Sequence, residues 1–297
     1  MSERVKYTVI AGGVTAPRGF QATGIAADVR KKGCRDLALL YSETPAAAAG
    51  LYTQNYVKAA PVLVTREHLA NGSAQAVVVN SGIANACTGQ QGLADAQKMA
   101  QLTGDALGVA PEDVVVASTG VIGEYLPMDK IEKGIKTAAT LLSRDGGMFA
   151  AEAILTTDTT TKEFAVKLTL GGKEVVIGGM AKGSGMIHPN MATMLAFITT
   201  DANVEQKALK NALRWAVDRS FNSITVDGDI STNDMVVMLA NGQAGNKLLT
   251  EADQEYGLFR DVLLLVCTEL AKMIAQDGEG ATKLLEVQVK GAASEQE

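Results

Sequence analysis

Hydrophobic and polar positions in the first half of the chain form short apolar runs and helical periodicities. Three apolar runs predict buried strands at Leu37–Tyr41, Ala76–Val79 and Val114–Ala117. Apolar residues recur at helical spacing over Leu93–Leu107 and Asp129–Leu142, which predicts two helices. This part of the chain is therefore predicted to mix strands and helices.

The second half continues the mixture. Alternation on both sides of Gly171-Gly172 predicts a β-hairpin with a two-residue turn. The pattern predicts two helices, one capped by Asn203 and a longer one capped by Thr250. Further strands are predicted at Met194–Thr199, Met235–Ala240 and Leu285–Val289. This order of elements predicts an α/β (α+β) fold of layered helices and sheets.

Composition and charge narrow the class of protein. Hydrophobic residues make up 47% of the 297 residues and charged residues 20%, which is typical of a folded globular protein. A net charge of −6 argues against a general nucleic-acid binder. The three cysteines, Cys34, Cys87 and Cys267, are far apart and fit a reducing cytoplasm. With only His68 and His188 available, we expect no multi-histidine metal site.

Two segments resemble ligand-binding motifs but do not have the residue spacing of those motifs. Residues 178–184 have the glycines of a phosphate loop but not its Gly-Lys-Ser/Thr order. The Asp227–Asp234 segment spaces its oxygen ligands like a calcium loop. Its glycine, Gly228, occupies the second position instead of the sixth, and Met238 occupies the twelfth position in place of Glu. We therefore expect a polar turn whose side chains bond the backbone, and no metal.

The segment Gly178–Leu195 has the most informative chemistry. Its glycines indicate sharp turns, and Pro189 biases His188 toward an extended backbone. Thr193 then precedes an apolar strand. A threonine hydroxyl becomes a useful nucleophile when its own α-amino group is free to act as the base, which requires cleavage between Ala192 and Thr193. From spacing alone, a β-branched residue that enters a strand is the commoner interpretation.

Several motifs together resemble one enzyme family. The run Lys182-Gly-Ser-Gly-Met-Ile-His-Pro-Asn-Met-Ala-Thr-Met-Leu195 is similar to the self-cleavage segment of the ornithine acetyltransferase family, the bifunctional glutamate N-acetyltransferases of arginine biosynthesis. Further motifs resemble the family in the same order: Val14–Phe20, Val79–Gly89, Ser118–Gly123, Thr156–Thr159 and Asp227–Asp234. The resemblance therefore extends over nearly the whole chain.

This resemblance implies a layered α/β sandwich of the N-terminal-nucleophile type, with helices outside stacked sheets. It implies a precursor that cuts itself into an α chain, residues 1–192, and a β chain that begins at Thr193 and spans 193–297 here. Two α and two β chains would assemble. Thr193 would take an acetyl group from N-acetyl-L-ornithine and pass it to L-glutamate. No cofactor is implied, although some members also use acetyl-CoA as a donor.

The resemblance also assigns roles around the nucleophile. Thr119 and Gly120 would stabilise the oxyanion, and their place at a strand end would aim a hydroxyl and backbone N–H groups at one point. Lys182, Glu279 and Thr159 would contact substrate.

Other residues of these motifs stay secondary candidates. Thr157 is the next candidate after Thr159 for contact with substrate. A general-base role for His188 is a minority interpretation, because the free amine of Thr193 already supplies a base. Asn190 would orient the cleavage turn. Turn bonding before a strand accounts equally well for His188 and Asn190.

Two alternatives remain open. A related N-terminal-nucleophile amidohydrolase or aminopeptidase would pass the acyl group to water, and a non-catalytic fragment would only bind small amino acids or partners. Family members continue past Glu297, and their C-terminal part supplies further substrate-binding residues, including an Asn and a Ser or Thr. We therefore expect a truncated chain with impaired transfer and an unpaired sheet edge that favours aggregation. Self-cleavage depends mainly on residues that are present.

Overall fold

The computed structural model describes residues 7–30, 32–188 and 194–294. Within them the strands are β1 (Tyr7–Ile10), β2 (Phe20–Ile25), β3 (Leu37–Tyr52), β4 (Ser73–Ile83), β5 (Val114–Val121), β6 (Lys162–Leu170), β7 (Lys173–Lys182), β8 (Leu195–Thr200) and β9 (Met235–Ala240). The helices are α1 (Ala60–His68), α2 (Gly89–Leu107), α3 (Met128–Thr140), α4 (Gly147–Ala153), α5 (Gln206–Asp218) and α6 (Tyr256–Gln276).

One long strand joins the two halves of the sheet. The strand order is β1-β6-β7-β8-β9-β3-β4-β5, and β2 also pairs with β3. The register of β3 against β4 shifts between Tyr41 and Ala46. Before this irregularity β3 pairs with β2 and β4. After it, Ala46 and Ala47 still pair with β4, and Ala47–Tyr52 pair with β9. Because a β-bulge bends a strand, β3 passes from one half of the sheet to the other.

The two halves of the sheet pack face to face. Side chains alternate along each strand, so Val77 and Val79 of β4 share an inner core with Phe197 of β8 and Val237 of β9. The opposite face of β4 and β5 packs against α2 and α3. The opposite face of β8 and β9 packs against α5 and α6. The predicted sandwich, with helices outside stacked sheets, is confirmed.

Most predicted elements are confirmed in type. Strand β9 has the predicted bounds. The three strands predicted in the first half of the chain are present but longer. The hairpin of β6 and β7 turns at Gly171 and Gly172, whose φ angles are +57° and +74°. Glycine adopts these left-handed angles without the steric cost that a Cβ would bring.

The predicted starts of the last two helices are wrong. Helix α5 follows Glu205 rather than Asn203, because the backbone and side chain of Asn203 are bonded to Asn246. Helix α6 begins at Tyr256 because Thr250 bonds Asp253 in a preceding turn, at 2.8 Å through its N–H and 2.7 Å through its hydroxyl. None of the described helices has the length and apolar character needed to cross a membrane.

The predicted strand at Leu285–Val289 is also wrong. Residues 285–289 form no strand, and Leu285 and Val287 are each 84% exposed. Alternation along one segment satisfies its backbone groups only where a neighbouring strand completes the ladder. No described strand pairs with this segment.

Candidate active site

The end of β7 meets the starts of β8 and β9 at one edge of the sheet. Lys182, the last residue of β7, pairs with Leu195, the first residue of β8. Leu195 pairs in turn with Met235, the first residue of β9. The predicted cleavage site and nucleophile, Ala192 and Thr193, lie outside the described residues, as does Asn190. The chain that holds them is joined to this edge at Met194.

Lys182 lies at the centre of the edge and is buried. Its Nζ donates a hydrogen bond to Thr156 Oγ1 at 2.7 Å and a longer one to Thr119 Oγ1 at 3.4 Å, and it lies 3.8 Å from Asp158 Oδ2. Burial lowers the pKa of the Lys182 ammonium, and the Asp158 carboxylate opposes that shift. The fold thus brings together two of the predicted site residues, Thr119 and Lys182.

A second buried lysine completes a charged network under this site. Lys162 Nζ lies 2.7 Å from Asp158 Oδ1 and 2.6 Å from Asp277 Oδ2, and the Lys162 and Asp158 side chains have no exposed surface. Gly183 N–H donates to Asp158 Oδ1 at 2.6 Å. Burial raises the pKa of Asp158, but Lys182 and Lys162 outweigh burial, so the net pKa is lowered. Asp158 therefore stays ionised and holds the approach to Thr193 in place.

We predict that Lys162→Met lowers the free energy of unfolding by about 3–5 kcal/mol at neutral pH, because two carboxylates lose their buried counter-charge. The matched control is Lys136→Met, which breaks a surface pair with Glu132 whose side chains are 65% and 42% exposed. We expect that control to cost about 0–1 kcal/mol. Urea unfolding followed by circular dichroism measures both values, and equal losses would contradict a structural role for the network.

The same network predicts a pH dependence. Burial raises the pKa values of Asp158 and Asp277, but it is outweighed by Lys182 and Lys162 at Asp158 and by Lys162 and the Thr159 hydrogen bonds at Asp277. Both pKa values are therefore lowered in the folded protein. Their contribution to stability is therefore present above the unfolded pKa of about 3.9 and is lost as the pH falls through the folded values. The difference between the wild type and Lys162→Met should narrow below about pH 4.

Gly120 lies where two backbones approach closely. It pairs with Gly82 across the parallel strands β4 and β5. Its φ is +129°, and a Cβ built on it would lie 2.2 Å from the Gly82 carbonyl carbon. Thr119 is buried, whereas Gly120 is exposed. The end of β5 thus carries a hydroxyl and a peptide group to the rim of the site.

Two adjacent residues before β9 connect the end of β5 with the start of β8. Asn233 Nδ2 donates to the carbonyl oxygens of Ser118 at 2.8 Å and Ala84 at 2.6 Å. Asp234 Oδ1 accepts the N–H of Met194 at 2.9 Å. Asp234 is fully buried, and its Oδ2 has no hydrogen-bond partner among the described residues. One dipeptide therefore holds the residue before Thr119 and the residue after Thr193.

Glu279 and Thr157 contact the segment that leads to the predicted nucleophile. Glu279 N–H donates to the Ser184 carbonyl at 2.7 Å. The Glu279 carboxyl packs against Gly185, since a Cβ built there would lie 2.7 Å from the carboxyl carbon. The hydroxyls of Thr157 and Ser184 are 2.7 Å apart. Both residues thus line the approach to Thr193.

Thr159 bonds Asp277, the partner of Lys162. Its N–H donates to Asp277 Oδ2 at 3.0 Å, and its hydroxyl also donates to that carboxylate. Of the run 156–159, Thr156 is the residue whose hydroxyl meets Lys182 Nζ. The role of Thr159 in substrate binding stays a prediction.

The Asp227 segment forms a turn whose carboxylate bonds the backbone. Asp227 accepts N–H groups from Met186, from Ile187 at 2.8 Å and from Asp229 at 3.2 Å. Within residues 7–30, 32–188 and 194–294, no cluster of His, Cys, Asp and Glu has a geometry for a metal ion. His188 lies beside Gly228 of the same turn.

Sequence reasoning assigned no separate role to Asp158, Asn233 or Asp234. The sequence contained a signal for Asp158, because an acidic residue among threonines just before a strand is seldom buried. No local signal existed for the other two residues. Asn233 and Ser118 are 115 positions apart, and Asp234 and Met194 are 40 apart.

The fold is that of a class of layered α/β proteins that includes the N-terminal-nucleophile hydrolase fold. The aminopeptidase (an L-aminopeptidase D-Ala-esterase/amidase) from Ochrobactrum anthropi, described as a variant of that hydrolase fold, has a TM-score of 0.53 and covers 91% of this chain and 88% of its own. Its identity is only 13%, so the likeness concerns the fold alone.

Within this class, the chain belongs to the ArgJ family, whose sequence model matches residues 21–297. The arginine biosynthesis bifunctional protein ArgJ of Symbiobacterium thermophilum is 61% identical over 287 residues, which are 96% of this chain and 71% of that protein. The resemblance inferred from the motifs is confirmed at the level of the family.

Two solved structures agree with this assignment. The ArgJ crystal structure from Bacillus halodurans is 46% identical with a TM-score of 0.60, and the match covers 63% of this chain and 98% of that chain. The ornithine acetyltransferase of Mycobacterium tuberculosis, complexed with ornithine, is 42% identical with a TM-score of 0.58. That match covers 62% of this chain and 98% of the other.

Proposed function

We propose that the chain is an acetyltransferase of arginine biosynthesis that moves an acetyl group from N-acetyl-L-ornithine to L-glutamate through acetyl-Thr193. The observation that carries this proposal is the contact between Lys182 Nζ and Thr119 Oγ1, 3.4 Å apart, at the edge where Met194 leads into β8. Family membership supports the proposal, as does the relative that is an ornithine acetyltransferase complexed with ornithine.

Self-cleavage between Ala192 and Thr193 precedes transfer. The Thr193 hydroxyl attacks the Ala192 carbonyl carbon, the acyl group shifts from nitrogen to oxygen, and water hydrolyses the resulting ester. The products are an Ala192 carboxylate and a Thr193 with a free hydroxyl and amine. The coverage of the Bacillus halodurans match supports this step, because it corresponds to a solved chain of about 190 residues. That length is close to the 192 residues that precede Thr193.

Transfer then proceeds in two half-reactions. The free amine of Thr193 takes the proton of its own hydroxyl, and the oxygen attacks the acetyl carbonyl of N-acetylornithine. The protonated amine returns that proton to the leaving ornithine amine. In the second half the amine of glutamate attacks the acetyl ester carbon and the C–O bond to Thr193 breaks. The Thr193 amine passes the proton that glutamate loses to the departing Thr193 oxygen. The Thr119 hydroxyl and the Gly120 N–H donate to the oxyanion in both halves.

Charged residues provide the substrate contacts. Lys182 pairs with a substrate carboxylate, and its long contact with Thr119 is the one that an incoming anion replaces. Glu279, whose carboxyl packs against Gly185, supplies a negative charge suited to the ornithine ammonium. Family membership alone supports the two remaining features of the proposal: an assembly of two α and two β chains, and acetyl-CoA as a second donor to the same threonine. A cytoplasmic location fits this metabolic role.

Product analysis tests the reaction. We expect N-acetylornithine and glutamate to give ornithine and N-acetylglutamate in equal amounts, because the acetyl ester is captured by an amine. Ornithine with free acetate would favour the hydrolase alternative, and binding with neither product would favour the non-catalytic fragment. A parallel incubation of glutamate with acetyl-CoA measures use of the second donor. Liquid chromatography with mass detection quantifies all products.

A further inference from the structure

Asp158 is a fully buried carboxylate that contacts the surroundings of Lys182 from several sides. Its Oδ1 accepts the Gly183 N–H at 2.6 Å and a hydrogen bond from the Lys162 ammonium at 2.7 Å. Its Oδ2 accepts the Thr156 N–H at 3.1 Å and faces Lys182 Nζ at 3.8 Å. One side chain thus contacts Lys182, the residue that follows it and the threonine whose hydroxyl bonds it.

The contact between Asp158 and Lys182 is an ion pair and not a hydrogen bond. At 3.8 Å the Nζ and Oδ2 atoms attract each other by charge, but they are too far apart for a hydrogen bond. The hydrogen bonds of Lys182 Nζ go to Thr156 Oγ1 at 2.7 Å and to Thr119 Oγ1 at 3.4 Å. Asp158 therefore supplies negative charge to Lys182 without occupying one of its three N–H groups.

Charged groups of both signs surround Lys182. Burial lowers the pKa of the Lys182 ammonium most, and Lys162 of β6 and Arg30 before β3 add to that shift. Asp158 and Asp234 raise the pKa, and Asp158 does so more strongly. Burial raises the pKa of Asp234 well above its usual range, which makes Asp234 the weaker source of negative charge. The charge of Lys182 therefore depends mainly on Asp158.

We propose that Asp158 is a positioning residue that keeps Lys182 charged for recognition of the substrate carboxylate. This inference rests on the proposed function, in which Lys182 pairs with that carboxylate. An ammonium binds a carboxylate much more strongly than a neutral amine does, and burial favours the neutral amine. Asp158 offsets this effect of burial, and its pair with Lys162 keeps Asp158 itself ionised. Substrate binding should therefore follow the charge of Lys182.

Asp158→Asn tests this role, because it removes the charge and keeps the size of the side chain. Its amide oxygen can still accept the Gly183 N–H. We expect the pKa of Lys182 to fall by about one unit or more, since the strongest opposing charge is gone. Only the charged fraction binds, so KM for N-acetylornithine should rise about tenfold for each pH unit above that pKa. The alkaline limb of the pH–kcat/KM profile should move to lower pH by the same amount.

The matched control is Lys162→Met, which breaks the same buried network with the opposite effect on Lys182. Lys162 pairs with the Asp158 carboxylate at 2.7 Å, and its charge lowers the pKa of Lys182. Its loss should raise that pKa and move the alkaline limb to higher pH. Both variants lose stability, so a purely structural role would not move the two limbs in opposite directions. Titration of the substrates is common to all the proteins and cancels in the comparison.

Nitrogen-15 NMR of the lysine side chains measures the pKa of Lys182 without turnover, and Lys182→Met assigns the signal. We expect a lower pKa than in the wild type for Asp158→Asn and a higher one for Lys162→Met. An unchanged pKa in Asp158→Asn would overturn the inference and leave the proposed function standing. A lowered pKa with an unchanged alkaline limb would also overturn it, because substrate binding would not follow the charge. A wild type that transfers no acetyl group would overturn the proposed function as well.

If Asp158→Asn does not fold, the same interaction is measured from its other partner. Coupling between two sites is reciprocal, so Lys182→Met should raise the pKa of the Asp158 carboxyl. Carbon-13 NMR of labelled aspartate compares this variant with the wild type. Equal pKa values of Asp158 in the two proteins would overturn the inference.

Discussion

Thr193→Ala is expected to stay a single chain of 297 residues and to lose acetyl transfer. Alanine has no hydroxyl, so neither the N-to-O acyl shift nor the acetyl ester can form. Removal of a covalent nucleophile typically lowers kcat by a factor of about 10⁴ or more. Wild-type protein should instead give two pieces on denaturing electrophoresis. Edman sequencing of the smaller piece should begin Thr-Met-Leu-Ala.

Thr193→Ser is the matched control for that prediction. Serine keeps the hydroxyl and the α-amino group after cleavage, so this variant should cut itself and transfer acetyl groups, although more slowly. Intact mass measured over time gives the cleavage rate of each variant. A Thr193→Ala chain that is still cut before residue 193 would show that another group is the nucleophile.

Gly120→Ala is expected to have the second largest effect, a fall in kcat of about 10²–10³-fold with a small change in KM. The new Cβ would meet the Gly82 carbonyl carbon at 2.2 Å, so the end of β5 must shift. A shift of the Gly120 peptide moves an N–H away from the oxyanion of the transition state, where its contribution is greatest. Steady-state kinetics with N-acetylornithine and glutamate measures both constants.

Gly123→Ala controls for backbone strain three residues farther along. Its φ is +87°, which also disfavours a side chain, but a Cβ there meets no atom within 4 Å. We expect this variant to lose some thermal stability and to retain kcat. If both variants lose kcat equally, strain in the loop explains the result, and Gly120 has no special place at the reaction centre. Thermal melts of both variants show whether each remains folded.

Local pattern predicted most of the elements because strand and helix periodicities are short-range properties. Met235–Ala240 forms β9 with the predicted bounds, and Gly171-Gly172 turns the predicted hairpin. Strand β3 was underestimated. Its apolar run Leu37–Tyr41 is followed by residues that become a strand because β9 and the start of β4 pair with them. The predicted strand at 285–289 fails for the converse reason, since no described strand lies beside it.

The candidate site also has features that the sequence indicated and features that only the structure shows. Motif resemblance alone led to the ArgJ family and to the candidates Thr119, Gly120, Lys182 and Glu279. It could not show that Lys182 and Thr119, 63 positions apart, share a hydrogen bond, or that the buried Asp234 accepts the Met194 N–H. Such contacts depend on which strands become neighbours, and the packing of the whole core selects those neighbours. The order of strands and helices and the family therefore follow from the amino-acid pattern. The burial and pairing of each charged atom follow only from the folded sheet.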